Sequence, residues 1–115
     1  MAKEEYRFQG DFDRVLGILE NEIINGSISA SLEDASDFSD GGARCSVRVF
    51  ERYSWTGGNR VSLTVTLFRS GTGPLCLSAI ATGGSQAMFF KFNTMGEEAF
   101  LDKIRELIRV PPKEG

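Results

Sequence analysis

The chain has 115 residues, 41% of them hydrophobic and 25% charged, with a formal net charge of −3 and no histidine. These figures describe an ordinary globular protein and exclude a disordered chain, and they supply no long-range pull towards nucleic acid or anionic lipid. The missing histidine removes Ser-His-Asp and Cys-His nucleophile pairs and every His-ligated metal site.

The opening run from Met1 to Phe8 lacks the apolar core of a signal peptide, and no later stretch approaches the ~18 apolar residues of a membrane span, so a cytoplasmic protein is expected. Tyr6 and Phe8 alternate with Glu5, Arg7 and Gln9, which reads as a short strand. Gly10 and Asp11 then offer a helix start with Asp11 as N-cap. Phe12, Val15, Leu16, Leu19 and Ile23 recur at three- and four-residue spacing and form one apolar stripe, and Asn25-Gly26 ends the helix. Gly17 inside it costs about 1 kcal/mol relative to alanine, which points to a close approach of helix and sheet or to simple tolerance.

Residues 27–33 alternate strictly, with Ile28, Ala30 and Leu32 on one side, and read as a half-buried strand. Residues 34–42 are polar and turn-rich and read as a loop. From Ala43 to Trp55 the odd positions carry Ala43, Cys45, Val47, Val49, Tyr53 and Trp55, and the even positions carry Arg44, Ser46, Arg48 and Arg52. Val61, Leu63, Val65 and Leu67 repeat the alternation after a turn at residues 56–59. For these two apolar faces to coincide, odd residues must oppose odd residues. The paired numbers then sum to about 114, with Phe50 opposite Thr64 and Phe68 opposite Ser46, and the hairpin loop has an odd number of residues.

Residues 70–74 are the next turn, and Leu75, Leu77, Ala79 and Ala81 continue the odd-numbered core face. A last strand is predicted over residues 87–92. Thr94 and Glu97 have the spacing of a capping box, and Phe100, Leu101, Ile104, Leu107 and Ile108 form the stripe of a second helix that Pro111-Pro112 stops. The prediction is a single α+β domain over residues 1–115, β-α-β(4-5)-α, with both helices on one face of an antiparallel sheet and a short disordered tail from about residue 111.

That element order resembles the fold group of the TATA-box-binding protein repeat and of the helix-grip domains, a likeness of architecture that implies no activity. At residue level, the runs 25–34 (NGSISASLED), 47–54 (VRVFERYS), 57–63 (GGNRVSL) and 83–91 (GGSQAMFFK) are similar to those of short bacterial proteins that form a family of unknown function. The resemblance spans nearly the whole chain and implies no catalytic residue, cofactor or metal.

The candidate chemistries are few. Cys45 and Cys76 cannot hold zinc by themselves, and their parity places them on opposite faces of the sheet, so they are expected to stay unpaired. Residues 83–87 outline a nucleophile elbow, but a Phe-rich segment follows instead of a helix. Asp34, Asp37 and Asp40 recur without the alternate ligand spacing of a calcium loop, and Glu33, Asp34 and Glu51 read as surface charge.

Arg44, Arg48 and Arg52 share one strand face with Phe50, and Arg60 and Phe68 extend it on the neighbouring strand. These six residues are the candidate interaction face, suited to a homodimer or a protein partner and, given the net charge, not to nucleic acid. A small-molecule carrier is the second reading, with an apolar pocket lined by Tyr53, Trp55 and Phe90 between sheet and C-terminal helix. A carboxylate enzyme is the third.

Overall fold

A computed structural model describes residues 2–25, 31–53 and 60–83. Its elements are β1 (Ala2–Phe8), α1 (Phe12–Asn25), β2 (Ser31–Asp40), β3 (Ala43–Tyr53), β4 (Arg60–Ser70) and β5 (Leu75–Gly83). The strands form one antiparallel sheet in the order β1-β5-β4-β3-β2, so the first two strands of the chain are the outermost ones. With α1 against one face, the described residues form an α+β arrangement. The strand predicted over 87–92, the second helix and the tail lie outside the described residues.

Helix α1 starts where the sequence places it. The Asp11 side chain accepts a hydrogen bond from the Arg14 backbone N–H at 3.0 Å, which satisfies one donor that the first turn leaves open, and its backbone carbonyl accepts the first helical bond, from Val15 at 2.9 Å. Phe12, Val15, Leu16 and Leu19 are buried against Tyr6 and Phe8 of β1, Phe50 of β3, Leu63, Val65 and Leu67 of β4, and Leu75, Leu77 and Ala81 of β5. Each such side chain contributes at most about 1.5–3 kcal/mol of burial, so the stripe as a whole anchors the helix. Gly17 is not a point of close approach: a Cβ built there meets nothing within 4 Å.

Strands β4 and β5 pair odd residue with odd residue, Leu67 opposite Leu77 and Leu63 opposite Ala81, so their apolar faces coincide. Tyr6 and Phe8 of β1 stand opposite Leu77 and Leu75 and extend the same buried layer. At the far end of β5, Gly83 has φ +119, and an added Cβ would run into the Arg60 carbonyl oxygen, so only glycine fits this rung.

Two expectations fail in the other half of the sheet. The predicted loop over residues 34–42 is strand as far as Asp40, and only Gly41 and Gly42 make the turn. Gly41 takes φ +60 at the first central position, the placement of a type II′ hairpin. The Ser- and Asp-rich segment forms a strand because β3 supplies a complete ladder beside it, and pairing outweighs weak intrinsic preference. A bulge between Leu32 and Asp34 sets Leu32 opposite Phe50 and Asp34 opposite Val49, which turns the even residues from Asp34 onwards to the face away from α1.

The β3–β4 register is the second correction. Paired numbers sum to 113 and not 114, so Phe50 stands opposite Leu63, Arg48 opposite Val65 and Phe68 opposite Cys45. The connection over residues 54–59 accordingly has an even length. One residue of slip exchanges the faces of β3, so Ser46, Arg48, Phe50 and Arg52 are buried on the α1 side while Cys45, Val47 and Val49 lie on the open side. This register seals the Phe50 ring in the core and gives Arg44 and Arg48 carboxylate partners.

Candidate functional site

The two faces of the sheet carry different chemistry. On the α1 side, Arg44 pairs with Asp13 at 2.9 Å and lies 4.0 Å from the centroid of the Phe12 ring. Arg48 pairs through Nε with Glu20 at 2.7 Å and through Nη1 with Asp37 at 3.0 Å, and the Ser46 hydroxyl donates to Asp37 at 2.5 Å. Asp13 and Glu20 are about 10 Å apart along a helix, and Arg44 and Arg48 about 13 Å apart along a strand, so one flank of α1 runs beside β3 as a two-rung ladder of ion pairs.

The ladder shifts its own acidities. The Arg44 guanidinium holds the Asp13 carboxyl below the usual carboxylate range, and hydrogen bonds from Ser46 and then Arg48 do the same for Asp37. Burial works against the Arg48 charge, but its hydrogen bonds to Glu20 and Asp37 outweigh that and raise its pKa. Burial pushes the Arg52 pKa down, yet a guanidinium stays charged at any ordinary pH. Arg69 donates to the Gly73 carbonyl at 3.1 Å and also to the Gly10 carbonyl, which ties the β4–β5 turn to the start of α1.

The six residues of the predicted interaction face therefore do not form one surface. Arg44, Arg48, Phe50 and Arg52 lie on the α1 side, whereas Arg60 and Phe68 lie on the other, where Arg60 pairs with Glu51 at 3.0 Å. Tyr53 ends β3; its side chain, Trp55 and Phe90 lie outside the described residues.

On the open side, register gathers residues from all five strands. Phe38, Cys45, Phe68, Cys76 and Arg7 stand side by side across β2, β3, β4, β5 and β1 in one row. Phe38 is 67% exposed and Phe68 39%, an uncommon exposure for two large rings on one face. The rows beside it run Ser36, Val47, Thr66, Ser78, Glu5, and then Asp34, Val49, Thr64, Ile80, Lys3. Val47, Val49 and Ile80 are half-buried by their neighbours. The face is apolar along the row from Phe38 to Cys76, carries hydroxyl side chains between Val47, Val49 and Ile80 in the rows beside it, is acidic at the β2 margin with Asp34 and Asp40, and is predominantly basic at the β1 margin, where Lys3 and Arg7 flank Glu5.

Cys45 and Cys76 share this face, contrary to the expectation of opposite faces, because the β3 register turns Cys45 outwards. Both are free thiols, and β4 stands between them, so their Cα atoms are about 10 Å apart, too far for a disulfide. Among the described residues no group of three or more Cys, Asp or Glu side chains is placed to hold a metal ion, and no helix is long and apolar enough to cross a membrane.

The sequence pattern leaves Phe38, Cys45, Val47 and Val49 off this face, the first because its segment reads as a loop and the others because β3 reads in the wrong parity. A signal for the correct parity exists in the matched spacing of Asp13 and Glu20 with Arg44 and Arg48. No curated protein and no solved structure matches the chain. The family model of DUF6054 matches residues 1–110, and the chain belongs to this family of unknown function.

Proposed function

We propose that the chain is a small, non-catalytic binding or self-association module whose contact surface is the open face of the sheet. The observation that supports this reading is the row Phe38, Cys45, Phe68, Cys76, Arg7, in which two exposed rings and two thiols form a contiguous apolar band with charged margins. Water is a poor neighbour for such a band, and on a soluble chain an apolar patch with a polar rim marks a place of contact. In the predicted β-α-β(4-5)-α order both helices are expected on the opposite face, where the stripe of α1 lies. The chain works in the cytoplasm on this reading and binds neither nucleic acid nor membrane.

Sedimentation and native mass spectrometry of the full chain and of a Phe38→Ser, Phe68→Ser double variant at matched concentration test the assignment. The wild type is expected to associate or to retain a ligand, and the double variant to lose that property while keeping its thermal melt. Association or ligand retention that survives the double substitution unchanged overturns the reading.

A further inference from the structure

We infer that the partner of the open face is a second copy of this chain, packed face to face about a two-fold axis that runs along β4. The inference rests on the reading of that face as the contact surface and adds the occupant and its orientation. Two identical sheets can meet by their open faces in two simple symmetric ways. An axis across the strands lays each strand over its own copy, acidic β2 margin over acidic β2 margin and basic β1 margin over basic β1 margin. An axis along the strands lays β1 over β2 and each cross-strand row over the same row of the other copy.

The second arrangement sets opposite charges together at the margins. Lys3 and Asp34 occupy the two ends of one row, so each Lys3 stands over the partner's Asp34. Arg7 and Phe38 occupy the ends of another, so each guanidinium stands over the partner's exposed ring, a cation–π contact, and Phe68 at the centre meets its own copy. The first arrangement sets like charges against each other at both margins, which costs affinity and disfavours that orientation. Area is sufficient as well: five strands at the usual spacing and seven residues of length present roughly 550 Å2 per copy, and about 1,100 Å2 in total clears the threshold of a specific interface.

Charge reversal in the full chain tests the arrangement. Lys3→Asp alone places two acidic pairs at the margins, and Asp34→Lys alone places two basic pairs, so each variant should dimerise at least roughly tenfold more weakly than wild type in sedimentation equilibrium. An equimolar mixture of the two restores both opposite-charge pairs in the heterodimer and should recover a dimer close to wild type in strength. If either variant melts below wild type, Lys3→Gln and Asp34→Asn take their place, and each should weaken the dimer by a smaller factor.

A mixture no tighter than its components, or neutral variants that dimerise as wild type does, overturns the proposal. So does a wild type that stays monomeric at high micromolar concentration, including one whose own residues 84–115 occupy the face. Failure of the underlying reading looks different, since association would then survive Phe38→Ser, Phe68→Ser. A dimer that responds to the rings but not to the charges leaves the face in place and rejects only the orientation.

Discussion

On the α1 side of the sheet, one arginine is folded in and matched: Arg48 is almost buried, with Glu20 from the helix and Asp37 from β2 on its nitrogens. On the open side, phenylalanines are left out: Phe38 and Phe68 stand in water beside two thiols. Hydropathy alone puts Arg48 on the open face and Phe38 in a loop, and has only Phe68 where it stands. The difference teaches that a strand is oriented by the partners available to each side chain, since a charge with two carboxylates can be enclosed more cheaply than a ring can be lost from the core.

The phenylalanines of the two faces should differ most in what they contribute to stability. Phe50→Ala should destabilise by about 3–5 kcal/mol, because Phe50 is fully enclosed opposite Leu63, whereas Phe68→Ala should cost less than about 1 kcal/mol. Denaturant midpoints that move equally for the two substitutions would mean that the faces of β3 and β4 are misassigned. Ile104→Ala, at the centre of the predicted second stripe, falls outside the described residues and does not bear on the contrast.

A smaller effect distinguishes the ion pairs. A double-mutant cycle on Arg48 and Glu20 should give a coupling of about 1–2 kcal/mol, since the arginine is nearly enclosed, and the same cycle on Arg60 and Glu51 across the open side should give well under 1 kcal/mol. Equal couplings would remove the distinction between an internal fastener and a surface pair.

The smallest expected effect is a pH dependence. Asp37 has its folded pKa lowered by Ser46 and Arg48, so it binds its proton less readily in the folded chain than in the unfolded one. Its contribution is complete above the unfolded value of about 4 and is lost as pH falls through the folded value. Asp37→Asn should therefore be less stable than wild type at neutral pH, with the gap closing as pH falls below the unfolded value. A gap that stays constant across unfolding curves in this range would show that the carboxylate charge is not what β2 contributes.

Much of the fold is legible in the sequence because local and global signals agree there. In α1 the Asp11 cap, the stripe from Phe12 to Ile23 and the Asn25 end all point to the same helix. In β4 and β5 clean alternation and a glycine-rich turn fix a common parity. Legibility stops where tertiary partners decide. Nothing local marks residues 34–40 as a strand, since their serines and aspartates gain their place only from the β3 ladder. Strand β3 has a usable pattern on both faces, Cys45, Val47 and Val49 on one and Phe50 among arginines on the other, and only the carboxylates of α1 and β2 choose between them. The candidate face inherits that difficulty: Phe68 is legible on it, while Phe38 and Cys45 are not.

Strand β2 is exposed along all ten of its residues, carries Glu33, Asp34, Asp37 and Asp40 with no lysine or arginine, and is bent by its bulge. A bare strand edge is a template for the next chain, and acidic side chains with a break in the ladder are what prevents such recruitment. Among the described residues the sheet ends at β2, and the repulsion between its carboxylates works against edge-to-edge growth of the sheet into fibrils.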